Sequence, residues 1–390
     1  MSGVTKKPSF ALLFGLGATL ALVEALASYA QSSYLSQFFS LSQIGFIAAA
    51  SCIITLIWSS FHPGLIAKHG NYHSALITAS LVLLSHIALA YSHTPWLIVI
   101  AVVLRYACLA LLYVNLDLAL EAISPATKIG SIRTKYLSIM NLAWLASPLL
   151  MTSIIGDNNY QGIYAVSIFI IILFLIILLC HRRYLQQAFR FQGQENNWLN
   201  SLSLMFKDSN LRPVFLSALT LQMFYSFAVL YIPIYLHQTM HIAWSDLGWI
   251  FTFMLIAFVV IQLPAGLMAD RYWGEKELLI SGSLIIAAAC ICIYLATSAS
   301  PWFWAWLLLF SRVGAALCEA MQEVYFFKQV TSSDLGLINL FRQSRSLGWL
   351  LGTTSAALLL LFTNIPNLFL IMSGIFIINT LWLRKIVDTK

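Results

Sequence analysis

The chain has 390 residues, of which 60% are hydrophobic, 14% aromatic and only 9% charged, with a mean hydropathy of +0.85 and a formal net charge of +7. A water-soluble chain of this length needs about a quarter charged residues to cover its surface, so water is not its main solvent. No segment has the polarity of a separate soluble domain.

Apolar stretches of about 18 or more residues, each long enough to cross a hydrocarbon core of about 30 Å, predict twelve spans. They fall at 10–31, 44–61, 74–92, 95–117, 136–156, 162–180, 212–236, 245–265, 278–297, 301–323, 346–363 and 366–384. Turn chemistry separates them at His93-Thr94-Pro95, Gly156-Asp157-Asn158-Asn159, Ser298-Ala299-Ser300-Pro301 and Asn364-Ile365-Pro366.

The start of the first span, Lys6 and Lys7 before an apolar run that reaches Ala25-Leu26-Ala27, imitates a cleaved signal peptide. Glu24 inside that run, and a repeat that needs this helix, argue for a retained span. Gly17, Ala21, Glu24, Ser28 and Gln31 form a small-and-polar stripe along it. Between spans six and seven, 181–211 is the longest polar stretch and reads as a linker with amphipathic segments at Tyr184–Phe191 and Trp198–Phe206. Such segments suit either a helix lying on the bilayer surface or a simple tether.

The positive charges test this layout independently. Nineteen of the 21 Lys and Arg fall at the termini, in the linker or in alternate connections, and the connections on the other side carry none. The positive-inside rule then places both termini in the cytoplasm. It also assigns the charge of +7 to orientation in lipid and not to nucleic acid. The expected location is a bacterial inner (plasma) membrane. The six cysteines lie in or at the ends of spans with no disulfide or zinc-ligand spacing, so no metal is expected.

The remaining two cations, Arg105 and Arg312, lie inside the fourth and tenth spans, 207 positions apart. Similar offsets relate other segments. Ser42-Gln43-Ile44-Gly45-Phe46-Ile47 returns as Ser245-Asp246-Leu247-Gly248-Trp249-Ile250, 203 positions later. Leu142-Ala143-Trp144-Leu145 returns as Leu347-Gly348-Trp349-Leu350 at 205, and Gly64 as Gly266 at 202. The chain is therefore a duplicated six-helix unit in parallel orientation, divided as 1–180, a linker at 181–211, and 212–390.

Six plus six spans, cytoplasmic termini and a long central loop resemble the major facilitator superfamily over essentially the whole chain. The loop Gly266-Leu267-Met268-Ala269-Asp270-Arg271-Tyr272-Trp273-Gly274-Glu275-Lys276 is similar to that family's Gly-x-x-x-Asp-Arg-x-Gly-x-Lys signature, with one extra residue. The first copy, Gly64 to Asn71, has Lys68 where the acid belongs. The resemblance implies an all-α integral membrane fold of two pseudo-symmetric six-helix bundles. It further implies a secondary transporter working by alternating access about a midplane site, with Gly64, Lys68, Gly266, Asp270 and Arg271 as gating-loop residues.

Ionisable groups inside spans cost about 2.5–3.5 kcal/mol each on insertion scales, so they default to functional roles. Arg105 and Arg312 lie ten and eleven residues past Pro95 and Pro301, about 15 Å deep and near the midplane. Glu319 and Glu323 share a helix face with Arg312. Asn115 and Gln322 are again 207 apart and suit polar lining of one cavity.

Tyr29, Tyr34, Tyr106, Tyr113, Trp144, Tyr225, Tyr231 and Trp349 are candidates to line a cavity for a ring-bearing solute, against a plain packing or interfacial role. An acid on the first span with an arginine on the fourth resembles drug–proton antiporters of this superfamily, which implies Glu24 as proton carrier and Arg105 as its tuner. A carboxyl's proton affinity rises with burial and falls beside a cation, so a partner that moves switches proton binding.

The expected function is proton-coupled transport of a small organic solute by a monomer. No cofactor is expected, since no phosphate-cradling glycine loop is present and no nucleophile–base pair appears. Three alternatives stand beside it. One is an exchanger or uniporter of an anionic metabolite centred on Arg105 and Arg312. Another is a non-transporting receptor or scaffold on the same fold. The third gives the charges a purely structural role, with Arg105 pairing Asp117 or Glu24 and Arg312 pairing Glu319. The transport reading requires the buried charges to face a chamber shared by the halves.

Overall fold

The computed structural model describes residues 10–124, 129–156, 159–182, 198–269, 273–330 and 334–387. In chain order the helices are α1 Phe10–Ser28, α2 Gln31–Leu35, α3 Leu41–His69, α4 Asn71–Tyr91, α5 Pro95–Ile123, α6 Ile129–Ile155, α7 Tyr160–Cys180 and α8 Trp198–Lys207. They continue with α9 Leu211–Ile234 and its π-helical extension Tyr235–Thr239, α10 Trp244–Met268, α11 Gly274–Leu295, α12 Pro301–Gln329, α13 Leu335–Leu359 and α14 Ile365–Leu383. Among the described residues there is no strand, and twelve helices have 19 residues or more. Among the described residues eleven helices are long and apolar enough to cross a membrane. The twelfth long helix, α13, carries a polar stretch containing Arg342, Gln343 and Arg345 in its first half.

Several boundaries correct the expected ones, and all the large corrections go the same way. Helix α3 runs on to His69, α5 to Ile123 and α12 to Gln329, while α6 starts at Ile129 and α13 at Leu335. Each extension lies at the end that the sequence marks with basic residues. Hydropathy reports where a helix leaves lipid, whereas helical hydrogen bonding continues into a polar environment as long as nothing breaks it. Arg342 and Arg345, expected in a connecting loop, are therefore helical.

Local chemistry fixes the other ends. Pro95 and Pro301 open α5 and α12, where a missing N–H costs nothing. The Asn159 side chain accepts from Gly162 N at 3.1 Å to cap α7, and Asn364 accepts from Asn367 N at 3.3 Å to cap α14. Gly70, at φ 82°, reverses the chain in one residue between α3 and α4, a conformation that side-chain-bearing residues rarely adopt.

The chain divides into two compact units, Met1–Phe38 with Ala50–Gly193, and Phe39–Ala49 with Gln194–Lys390. In the first unit α1 packs on α5, α6 and α7, and α4 packs on α5 and α7. In the second, α9 packs on α12, α13 and α14, and α11 packs on α12 and α14. Numbered by span, these five pairings are the same, which is the duplication expressed in packing. Among the described residues the close packing of α10 on α12 in the second unit has no matching α3–α5 packing in the first. The amphipathic segment at Trp198 forms α8 and lies on α9 and α13, with Met205 buried. Most of the other segment, Tyr184–Phe191, lies outside the described residues.

Small residues set the closest approaches, as expected where lipid offers no hydrophobic drive between helices. Gly348 and Gly352 form a Gly-x-x-x-Gly face of α13 against α9. A Cβ on Gly348 would stand 2.7 Å from Leu219 O, and one on Gly352 would collide with Ser226 Oγ. Gly282 of α11 and Gly314 of α12 meet similarly, each Cβ falling within 2.8 Å of the other residue's carbonyl oxygen. In the second unit the start of α3 also rests on α9 and α13. Ser42 Oγ donates to Ala357 O at 2.7 Å, and Gly45 leaves room for the Tyr231 hydroxyl. That gives the first copy of the repeated Ser-Gln-Ile-Gly segment its physical role.

Candidate functional site: two buried arginines

In the first unit Arg105 of α5 is 1% exposed. Its Nη1 donates to Gln31 Oε1 at 2.6 Å, and its Nη2 donates to the backbone oxygen of Glu24 at 3.2 Å. The guanidinium lies 5.4 Å from the centre of the Tyr106 ring. Helix α2, whose five residues are all buried, carries the Gln31 side chain to it. The half-buried Glu24 is within electrostatic range of the Tyr106 and Tyr113 hydroxyls. Tyr113 OH is buried beside it without meeting strict hydrogen-bond geometry. The acid on the first span and the arginine on the fourth are thus brought together.

Around this pair lies a polar nest that periodicity did not reveal. His86 of α4 is fully buried, its Nδ1 facing Val82 O at 2.8 Å. Because a carbonyl only accepts, Nδ1 carries the proton, and a neutral ring then presents a bare lone pair on Nε2. That atom has no partner, and neither do the Tyr164 hydroxyl, Arg105 Nε or the Ser32 and Ser33 hydroxyls. The His86 and Tyr164 rings meet edge to face at 5.9 Å, and Tyr34 packs on Tyr164 at 5.4 Å. A lone histidine in an apolar run has no spacing signal. Only the neighbouring helices single it out.

In the second unit Arg312 of α12 is 3% exposed. Its guanidinium lies 5.2 Å from the Phe224 ring centre and 5.6 Å from that of Tyr225, both on α9. Among the described residues it makes no hydrogen bond or ion pair, and its Nη1 is buried with no partner. The intrahelical pair with Glu319 weighed from the sequence does not form. Glu319 is instead 3.5 Å from Arg345 Nη2 of α13 and accepts from Tyr225 OH at 3.3 Å. Arg345 is the residue that sequence reasoning missed, because its segment read as a loop.

The other candidates are more dispersed. Asn115 is buried against α4, its Nδ2 donating to Thr78 Oγ1 at 3.3 Å while its backbone oxygen accepts from Asn71. Gln322 is buried with an unpartnered Oε1, whereas Glu323 is exposed. Tyr29 is buried, and Tyr106, Tyr113, Trp144, Tyr225 and Trp349 are partly buried. Gly64 has open space where a Cβ would stand, Lys68 is exposed in the last turn of α3, and Gly266 lies in α10. Asp270 and Arg271 lie outside the described residues. No group of three or more His, Cys, Asp or Glu side chains among the described residues could hold a metal.

The family model of the Major Facilitator Superfamily matches residues 10–344 and 214–390. The chain belongs to the major facilitator superfamily. No curated protein matches the sequence significantly. Solved structures that resemble it include the nucleoside transporter NupG, with a TM-score of 0.76 and 14% identity over 96% of this chain and 98% of that one. A D-xylose-proton symporter matches with a TM-score of 0.73 and 16% identity, covering 98% of each chain. A POT family transporter in complex with 5-aminolevulinic acid matches with 0.77 and 13%, over 95% of this chain and 94% of that one. At identities this low the likeness carries the fold alone. This superfamily member is a membrane-embedded secondary transporter and not an enzyme.

Proposed function

We propose that this transporter moves a small organic solute by alternating access, driven by the proton gradient, with Glu24 taking up and releasing the proton. The supporting observation is the placement of Glu24, a half-buried acid whose backbone oxygen accepts from Arg105 and whose carboxyl acts on the Tyr106 and Tyr113 hydroxyls. Burial favours the neutral acid and the guanidinium favours the carboxylate. A shift of α1 relative to α5 therefore changes the proton affinity of this one group, which is what coupling requires. A proton symporter among the structural neighbours supports the same energy source.

In this reading the bundles 1–180 and 212–390 rock about a midplane site, joined by the linker 181–211. The monomer sits in a bacterial inner membrane with both termini in the cytoplasm and uses no cofactor. Asp270 and Arg271, with Gly266, form the gating loop on the second copy, and Gly64 with Lys68 its counterpart on the first.

The test is uptake by proteoliposomes holding the purified chain, screened over amines, amino acids, sugars, nucleosides and organic anions. At least one class is expected to accumulate when a proton gradient is imposed, and to stop when a protonophore collapses it. Uptake indifferent to the protonophore removes the coupling, and the absence of any accumulated class removes the reading.

A further inference from the structure

We infer that Arg312 is the anchor for the negative charge of a monoanionic organic acid. This deepens the transport reading above, on which it rests, by naming the class of its solute. The physical problem is a guanidinium that is 3% exposed and has neither a hydrogen bond nor an ion pair among the described residues. The faces of Phe224 and Tyr225 offset part of its burial cost. A ring face takes the place of no carboxylate or carbonyl acceptor, and Nη1 is left buried with no hydrogen-bond partner.

The protein's own acids do not close that gap. Glu319 stands seven residues on along the same face of α12, about 10 Å along the axis. It is held by Arg345 and by the Tyr225 hydroxyl. At offsets of 202 to 207 the positions matching Glu24 are Ser226, Phe227, Ala228, Val229, Leu230 and Tyr231, so α9 supplies no acid where α1 does.

The chemistry of the open donors defines what fits. A planar fork of N–H groups matches a carboxylate through two parallel hydrogen bonds. The two aromatic rings beside the cation suit an apolar organic body attached to that carboxylate. Glu319 accepts from the hydroxyl of Tyr225, whose ring lies beside Arg312. When ionised it penalises a second negative charge there, which favours a monoanion over a phosphate dianion. Arg105 is less suited to the role because both of its terminal nitrogens already donate, Nη1 to Gln31 and Nη2 to the Glu24 carbonyl.

The experiment is equilibrium binding to the purified full-length chain in detergent, with no gradient, read as ligand-induced shifts in melting temperature. The probes are acetate and benzoate, each against its uncharged amide, with inorganic phosphate as the dianion. At least one carboxylate is expected to stabilise the wild type where its amide does not, and phosphate to have no effect. Arg312→Gln is expected to weaken carboxylate binding about ten- to hundredfold, with Arg312→Lys between the two. Amides that act as well as the acids, no carboxylate that stabilises, stabilisation by phosphate alone, or undiminished binding in Arg312→Gln would each overturn the inference. The acid–amide contrast needs only the wild type, so it decides even if the Gln variant does not fold. Carboxylate selectivity without gradient-driven uptake keeps the site and removes the coupling, whereas uptake without that selectivity does the reverse.

Discussion

The two units bury the same cation at equivalent positions and treat it in opposite ways. In the first, α2 folds its Gln31 side chain onto Arg105, α1 contributes a backbone carbonyl, and an acid stands alongside. In the second, α9 offers Arg312 two aromatic faces and no acceptor. Duplication therefore preserved where the charge sits and not what it does. An arginine whose terminal nitrogens are hydrogen-bonded beside an acid is equipped to adjust proton binding, whereas one without hydrogen bonds is equipped to bind an anion.

The largest effect expected from breaking this division of labour is in Glu24→Gln. Uptake driven by a proton gradient should fall to the level of empty vesicles, while the melting temperature stays near that of the wild type. Retained uptake in that variant ends the carrier role assigned to Glu24. Next comes the stability contrast between the arginines. Arg105→Met leaves Gln31 Oε1 without its donor, at about 1–3 kcal/mol for the buried acceptor, while the Glu24 carbonyl still accepts from Ser28 Oγ. Arg312→Met strands no hydrogen-bond partner and removes a buried charge held only by two ring faces at close range, so it should be neutral or stabilising. Thermal unfolding of both variants without ligand measures the difference. Equal losses would mean that the two environments are energetically alike.

A smaller effect separates the glycines. Gly352→Ala drives a methyl into Ser226 of α9 and should cost about 1–3 kcal/mol, the usual penalty for overpacking. Gly64→Ala meets open space and should stay within about 0.5 kcal/mol in the same assay. The smallest change is expected from Arg345→Ala. Its side chain is 70% exposed and its partner Glu319 is 24% exposed, so solvent screening limits the stability loss to less than about 1 kcal/mol.

How far the site was legible follows from what each signal measures. Periodicity placed Glu319 on the Arg312 face of α12, which is correct. It could not show that Glu319 would turn to Arg345 and Tyr225 on two other helices. Depth from Pro95 and Pro301 put both arginines well inside their helices, where they are buried, but depth is silent about partners. His86 gave no sign at all, since nothing in its own helix distinguishes a histidine with an unsatisfied Nε2 from one that is satisfied. The extension of α13 to Leu335 escaped because polar residues end a hydropathy window without ending a helix.

The sequence alone determined the solvent of this protein, its helical class and its duplication. Each of these is written in composition or in a repeat along one dimension, and lipid leaves a chain few other ways to satisfy its backbone. Tertiary structure alone decided which of two matching cations is hydrogen-bonded. That depends on side chains brought from α1 and α2 in one unit and from α9 in the other, a distance in space that no spacing along the chain encodes.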